Sequence, residues 1–123
     1  MSQLTVKRVY DPPAPGDGMR ILVDRLWPRG VSKDRIDLWL KEIAPSDTLR
    51  HEFHGHPDRW DEFRAAYAAE LGTAPAQAAL ATLDEKLKEG PVTLLYAAKD
   101  EHRNNAEALR LWLAERAGSA KSG

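Results

Sequence analysis

The chain has 123 residues, a length that suits one domain with a core of useful size. At 42% hydrophobic and 30% charged it is neither disordered nor fibrous, and its net charge of −1 argues neither for nor against a nucleic-acid partner. It has no cysteine, which excludes disulfides, zinc–thiolate sites and Cys nucleophiles.

Charge is unevenly spread. Residues 1–50 carry nine Lys/Arg against seven Asp/Glu, and residues 51–123 carry nine against twelve. A basic site is therefore expected in the N-terminal half. The start, "MSQLTVKRVYD", lacks the apolar stretch of a signal peptide, and no apolar run approaches bilayer length. The expectation is a cytoplasmic domain without a membrane partner.

In chain order, "LTVKRVYD" alternates Leu4 and Val6 against Thr5 and Lys7 and reads as a strand. "PPAPGDG" is a loop by its prolines and glycines. "MRILVDRLW" reads as a second strand, Met19 to Trp27. "PRGVSKDRID" is a loop in which Ser32 can cap a short turn, and "LWLKEIA" fits either a short strand or helical turns. Ser46 can cap a helix over "DTLRHEFHG". "HPDRWDEFRAAYAAELG" is a longer helix, with Pro57 in its first turn and Gly72 past its end. Trp60, Phe63, Tyr67 and Leu71 share one of its faces; the spacing assigns them to the core rather than to a base-stacking platform. "APAQAALATLDEKLKEG" is a third helix with Leu80, Leu83 and Leu87 inward. "PVTLLYAA" has the continuous apolar run of a strand buried on both faces. "DEHRNNAEALRLWLAERA" is the last helix, with Ala106, Leu109 and Leu113 inward, and 119–123 reads as a frayed polar tail after a single domain over 1–118. The fold class is α/β: one compact domain, a small mostly parallel sheet with helices packed on it.

The chemistry-bearing stretch is "DRLWPRG". Asp24 and Arg25 interrupt an apolar strand, and a buried charge that lacks its partner costs about 3–5 kcal/mol. They must pair with each other or sit at the strand's mouth. The Pro28-Arg29-Gly30 turn presents Arg29 outward, with Lys33 close behind, and the planar fork of Arg suits phosphate or carboxylate. The alternative is a structural ion pair and a solvated loop. In "TLLYAAKDEHRNN" a buried strand ends at Lys99-Asp100 just before a helix, an anion-friendly corner. Tyr96 offers a hydroxyl there, Asp100 can cap the helix, and the Asn104-Asn105 pair, a poor helix former, signals a cap or a contact.

His51, His54 and His56 fall within six residues, and His102 is the fourth His. Their spacing matches no metal signature, so neither a metal nor haem is expected. His56 remains a candidate acid/base group.

Together "VKRVYD", "GMRILVDRLWPRGVSK", "LWLKEIAPSDTLRHEF", "HPDRWDEFRAAYAAEL" and "PVTLLYAAKDEHRNNA" resemble the YeaO-like members of the bacterial family of domains of unknown function numbered 488. The likeness runs from Leu4 to Leu113. It implies a compact bacterial cytoplasmic α/β domain and brings no activity or catalytic residues with it. His56, before Pro57, belongs to the shared motif; His51 and His54 do not.

The reading is a pocket for a phosphate-bearing small molecule, nucleotide or related anion where two strand ends meet. Arg25, Arg29, Lys33, Lys99 and Asn105 are its candidate ligand-binding residues; Asp24, His56 and Asp100 are candidate catalytic groups. One alternative is a nucleic-acid module with Arg8, Arg25, Arg29, Lys33, Lys41 and Arg50 as a basic face and Trp27 or Trp39 stacking. Another is a protein-interaction domain without activity. The sequence gives no reading of oligomeric state.

Overall fold

The computed structural model describes residues 4–122, with the backbone alone at residue 57 and over 117–122. Four strands, β1 (Leu4–Arg8), β2 (Met19–Leu22), β3 (Leu38–Trp39) and β4 (Val92–Tyr96), form one sheet in the order β1-β4-β2-β3. Every pairing is parallel. Four helices follow the first three strands and the last: α1 (Asp47–Phe53), α2 (Trp60–Leu71), α3 (Ala74–Glu89) and α4 (Asn105–Ser122). The α/β fold class read from the sequence is the one observed.

β4 sits in the middle, in register with β1 (Leu4 opposite Val92) and with β2 (Met19 opposite Val92). All five of its residues are buried, as its unbroken apolar run requires. The two faces of the sheet are covered differently. Ile21, Val23, Val92, Leu94 and Tyr96 point into the main core, which the helices supply through Leu49, Tyr67, Leu80, Leu83 and Leu109. The inward helical residues expected from the spacing, Trp60 to Leu71, Leu80 to Leu87 and Ala106 to Leu113, all pack there.

Among the described residues no helical side chain joins the apolar cluster on the other face. Leu22, Leu95, Val9 and Ile36 form a small second cluster, and the rest is polar. Loop 9–18 crosses this face, held by Asp17. Its carboxylate accepts from Arg20 Nη1 at 2.5 Å, Lys7 Nζ at 3.2 Å and the Ala14 N–H at 3.0 Å. Its carbonyl accepts from the Thr93 hydroxyl at 2.8 Å. Burial pushes the Asp17 carboxyl up, but these hydrogen bonds outweigh it and hold it below its usual range. Arg20 also donates from Nε to the Arg35 carbonyl at 2.8 Å, which pins the turn before β3.

Three local readings are corrected. β2 ends at Leu22, not Trp27: Val23 makes one more ladder bond, to the Leu95 carbonyl at 3.1 Å, and the chain then bends away. α4 begins at Asn105 rather than near Asp100, because Asn104 Oδ1 accepts the Glu107 N–H at 2.8 Å and acts as the cap. Ser32 flanks a turn over Lys33–Arg35, but its hydroxyl bonds the Asp34 carboxylate rather than a backbone N–H. "LWLKEIA" resolves into the two-residue β3 and a tight turn over Lys41–Ile43. Ser46 caps α1 as expected, accepting from Leu49 N at 3.1 Å. The expected fraying of 119–123 falls on side chains and a terminal residue outside the described residues.

Gly18 is the most crowded of the described glycines. Its φ is +65°, and a Cβ there would lie 2.1 Å from the Pro91 carbonyl oxygen, just before β4. Gly18→Ala should therefore destabilise the fold by roughly 2–4 kcal/mol, combining a strained φ/ψ with displacement of backbone. Gly16→Ala, where a Cβ meets nothing within 4 Å, should stay near wild type. Urea unfolding of both variants measures the contrast; equal midpoints would contradict it.

Candidate functional site: a cleft at the carboxyl edge of the sheet

The chain leaving β2 turns toward β3, while the chain leaving β4 runs to α4, which packs on β4 and β1. The connections diverge, so a crevice opens at the carboxyl ends of these neighbouring strands, where open parallel sheets characteristically hold ligands. A cleft of about 650 Å³ lies there.

Asp24 forms its floor. Its Oδ2 accepts the Ala97 N–H at 2.9 Å, and its Oδ1 accepts from Asn105 Nδ2 at 2.9 Å. Asn105 Nδ2 also donates to the Val23 carbonyl at 2.8 Å, and the Trp39 indole N–H donates to the Asp24 carbonyl at 2.7 Å. The residue thus ties together the ends of β2 and β4, the edge strand β3 and the first turn of α4. Burial raises the Asp24 carboxyl above its ordinary value, against the lowering effect of Asn105, Ala97 and the positive charge of Arg50.

Asp24 and Arg25 do not pair. Arg25 Nε donates to the Pro45 carbonyl at 3.2 Å, and no ion pair joins the two side chains among the described residues. Arg25 lines the cleft and also a smaller cavity of about 280 Å³ that reaches Glu70 and Tyr67. There Glu70 Oε1 accepts from the Ser46 N–H at 2.8 Å and Glu70 Oε2 from its hydroxyl at 2.5 Å, and Tyr67 donates to the Ile43 carbonyl.

The rim carries Arg29 and Lys99, both exposed. A chain of contacts runs between them. The Tyr10 hydroxyl donates to the Arg29 carbonyl at 3.1 Å, and the Arg8 guanidinium lies 5.0 Å from the Tyr10 ring centroid. Arg8 Nε donates to the Ala98 carbonyl at 3.0 Å, one residue before Lys99. Gly30, at φ +79°, lets the Pro28-Arg29-Gly30 turn close, and the Trp27 indole N–H bonds the Val31 carbonyl at 2.8 Å across it. The Arg29 guanidinium and Lys99 ammonium have no side-chain partner among the described residues.

Asp100 lines the cleft, but its Oδ1 accepts the His102 and Arg103 N–H groups at 2.9 and 3.0 Å. Those backbone bonds hold its carboxyl below the usual range. His56 lines the cleft and is exposed. Lys33 does not line it; it sits in the turn before β3. Tyr96 is buried in the main core rather than offered to a ligand.

Sequence reasoning missed a wall of the cleft. Phe53, Trp60 and Phe63 line it, and so do Leu26, Arg50 and His54. Trp60 stacks on Phe63 with centroids 5.6 Å apart, and Phe53 meets Phe63 edge-on at 5.8 Å. Helical spacing places Trp60 and Phe63 against the core, which is correct, but both are only half-buried and turn their remaining surface to the cleft. Among the described residues no group of His, Asp and Glu gathers to hold a metal ion, and no helix is long and apolar enough to cross a membrane.

A parallel sheet with helices on one face, and a mixed polar and aromatic cleft at its switch point, defines the class of this domain. The chain belongs to the DUF488 family: the family model described as the inactive DUF488-N3 subclade matches residues 3–122. It is 48% identical over 109 residues to the uncharacterized protein YeaO of Escherichia coli K12, covering 87% of this chain and 93% of that one. It is 41% identical over 110 residues to uncharacterized proteins of Mycobacterium bovis and Mycobacterium tuberculosis, covering 88% of this chain and 91% of each. No solved structure matches it.

Asp24 gives a pH signature. Folded, it keeps its proton to higher pH than in the unfolded chain, where it titrates near its ordinary 3.8. Between those two values the folded state holds a proton that the unfolded state has released. Its stabilising contribution is therefore full below 3.8 and falls as pH rises through the folded value. Asp17, Asp100 and Glu107 act in the opposite direction, losing stability as pH falls. Asp24→Asn should remove the descending component alone, so the wild-type minus variant unfolding free energy should decline from pH 4 toward neutrality in urea melts. A flat difference would mean that burial does not control this carboxyl.

Proposed function

We propose that this protein binds a phosphate-bearing or other anionic small molecule or nucleotide in the cleft at the carboxyl ends of β2 and β4. The observation that carries the reading is one cleft lined at once by Arg25, Arg29, Lys99 and Asn105. Arg29 and Lys99 are the anion-facing cations, since Arg25 already donates to Pro45 and Asn105 to Val23 and Asp24.

Binding without turnover is the better-supported form of the proposal. Both Asp24 oxygens accept structural bonds, and Asp100 is engaged by backbone N–H groups. Of the candidate catalytic groups that leaves His56, with His54 beside it in the cleft lining, as a proton carrier for a reaction. The description of the family subclade as inactive supports the same form. A cytoplasmic location belongs to this proposal, supported by the absence of cysteine.

The nucleic-acid reading is weaker. Of the six residues of the basic face it requires, Arg8, Lys33 and Lys41 lie off the cleft. The Trp39 indole is engaged by Asp24, and its ring meets Trp27 edge-on at 5.6 Å.

A thermal-shift panel of inorganic phosphate, sugar phosphates, nucleotides and short oligonucleotides tests the proposal. A ligand at 100 times its dissociation constant stabilises by about 2.7 kcal/mol, a shift of several degrees. Arg29→Ala and Lys99→Ala should each abolish most of the shift, and Lys33→Ala should leave it intact. A flat panel would overturn the anion reading and favour a protein-interaction domain.

A further inference from the structure

The composition of the cleft narrows its ligand, and the narrowing rests on the anion reading above. Two exposed cations without side-chain partners, Arg29 and Lys99, stand on the rim, Arg25 lines the cleft with its Nε on the Pro45 carbonyl, and the floor is the Asp24 carboxylate beside the Asn105 amide. A compact anion such as free phosphate gains nothing from such a floor, because a carboxylate repels it. A ligand that satisfies both ends carries its negative charge at one end and hydrogen-bond donors at the other.

The wall between them is aromatic. Phe63 meets both Phe53 and Trp60, and the wall continues into the core through Tyr67, 5.8 Å from Phe63. These rings are fixed before any ligand arrives, so stacking on them costs little ordering entropy. Their surface suits a flat ring, and a cleft of about 650 Å³ has room for a ligand of mononucleotide size.

We propose that the cleft takes a nucleoside monophosphate whose base carries an exocyclic amine. The base lies against Trp60, its amino edge faces the acceptors of Asp24 and Asn105, and its phosphate lies between Arg29 and Lys99. Trp60 is then a ligand-contacting residue as well as a core one.

Calorimetric titration of the full-length protein with AMP, CMP, ribose 5-phosphate and a single-stranded DNA heptamer tests this. AMP and CMP should bind about tenfold or more tighter than ribose 5-phosphate, the scale of one stacked base. Trp60→Leu should bring AMP down to the level of ribose 5-phosphate while leaving ribose 5-phosphate unchanged. Trp60→Phe should recover most of the loss, which a variant that merely misfolds would not do. Arg29→Ala should weaken every phosphate ligand alike. Equal affinity for AMP and ribose 5-phosphate would overturn the nucleotide assignment and leave the anion site standing. Binding of neither would overturn both. A heptamer that binds more tightly than AMP would overturn the free nucleotide in favour of a nucleic-acid strand.

Discussion

The carboxylate of Asp24 is the joint on which the carboxyl edge depends. Beyond Val23 the sheet has no ladder, because β2 bends away while the chain after β4 continues. The Ala97 N–H would then be left without a strand partner, and Asp24 supplies the acceptor from a side chain. The same carboxylate takes Asn105 and so ties the first turn of α4 to the sheet, while the Asp24 carbonyl takes Trp39 and ties in β3. One residue thereby converts the end of a sheet into the floor of a cleft. The cost is a partly buried carboxylate, whose desolvation raises the carboxyl above its ordinary value. Two hydrogen bonds and the field of Arg50 offset that cost only in part. Such residual frustration is common where a fold is shaped for binding rather than for stability.

The back of the sheet shows the opposite balance. Asp17 is also partly withdrawn from water, but Arg20, Lys7 and Ala14 more than compensate, so its carboxyl is lowered. Arg20 is buried, and its Nη2 has no hydrogen-bond partner among the described residues, while Nη1 and Nε hold Asp17 and Arg35. This polar cluster takes the place of a helical layer. It lets a loop of prolines and glycines cross a parallel sheet that would otherwise need helices on both faces. The amino half of the sheet is thus fastened by Asp17 and the carboxyl half by Asp24, with opposite electrostatic consequences.

How much of this was legible in the sequence follows from the kind of interaction involved. Periodicity carries burial, so β1, the buried β4 and the inward faces of α2, α3 and α4 could be read from Leu4, Leu94, Leu83 and Leu109. The end of β2 could not. Leu26 and Trp27 continue the apolar look of a strand, yet they are exposed, and the chain there is held by side chain to backbone bonds from Arg25, Trp27 and Trp39. Such bonds join residues four to twenty positions apart and leave no periodic trace. The Asn104-Asn105 pair did leave one: poor helix formers placed together mark a cap at Asn104 and a cross-link at Asn105.

The aromatic wall shows why site residues are harder to read than core residues. Helical spacing asks whether a side chain faces inward, and Trp60 and Phe63 do. It cannot ask what happens at the end of the helix, where the core runs out and the same rings meet solvent. The segment before α2 turns at Gly55, with φ +77°, and carries His54 and His56 past Phe53 toward the strand ends. The edge of the core is thereby left open instead of capped. A ring half in the core is rigid, and a ring half in a cleft is available; Trp60 and Phe63 are both. The core that stabilises the domain and the surface that would recognise a ligand are two sides of the same side chains. Substitutions there must therefore be judged by whether stability and binding change together or apart.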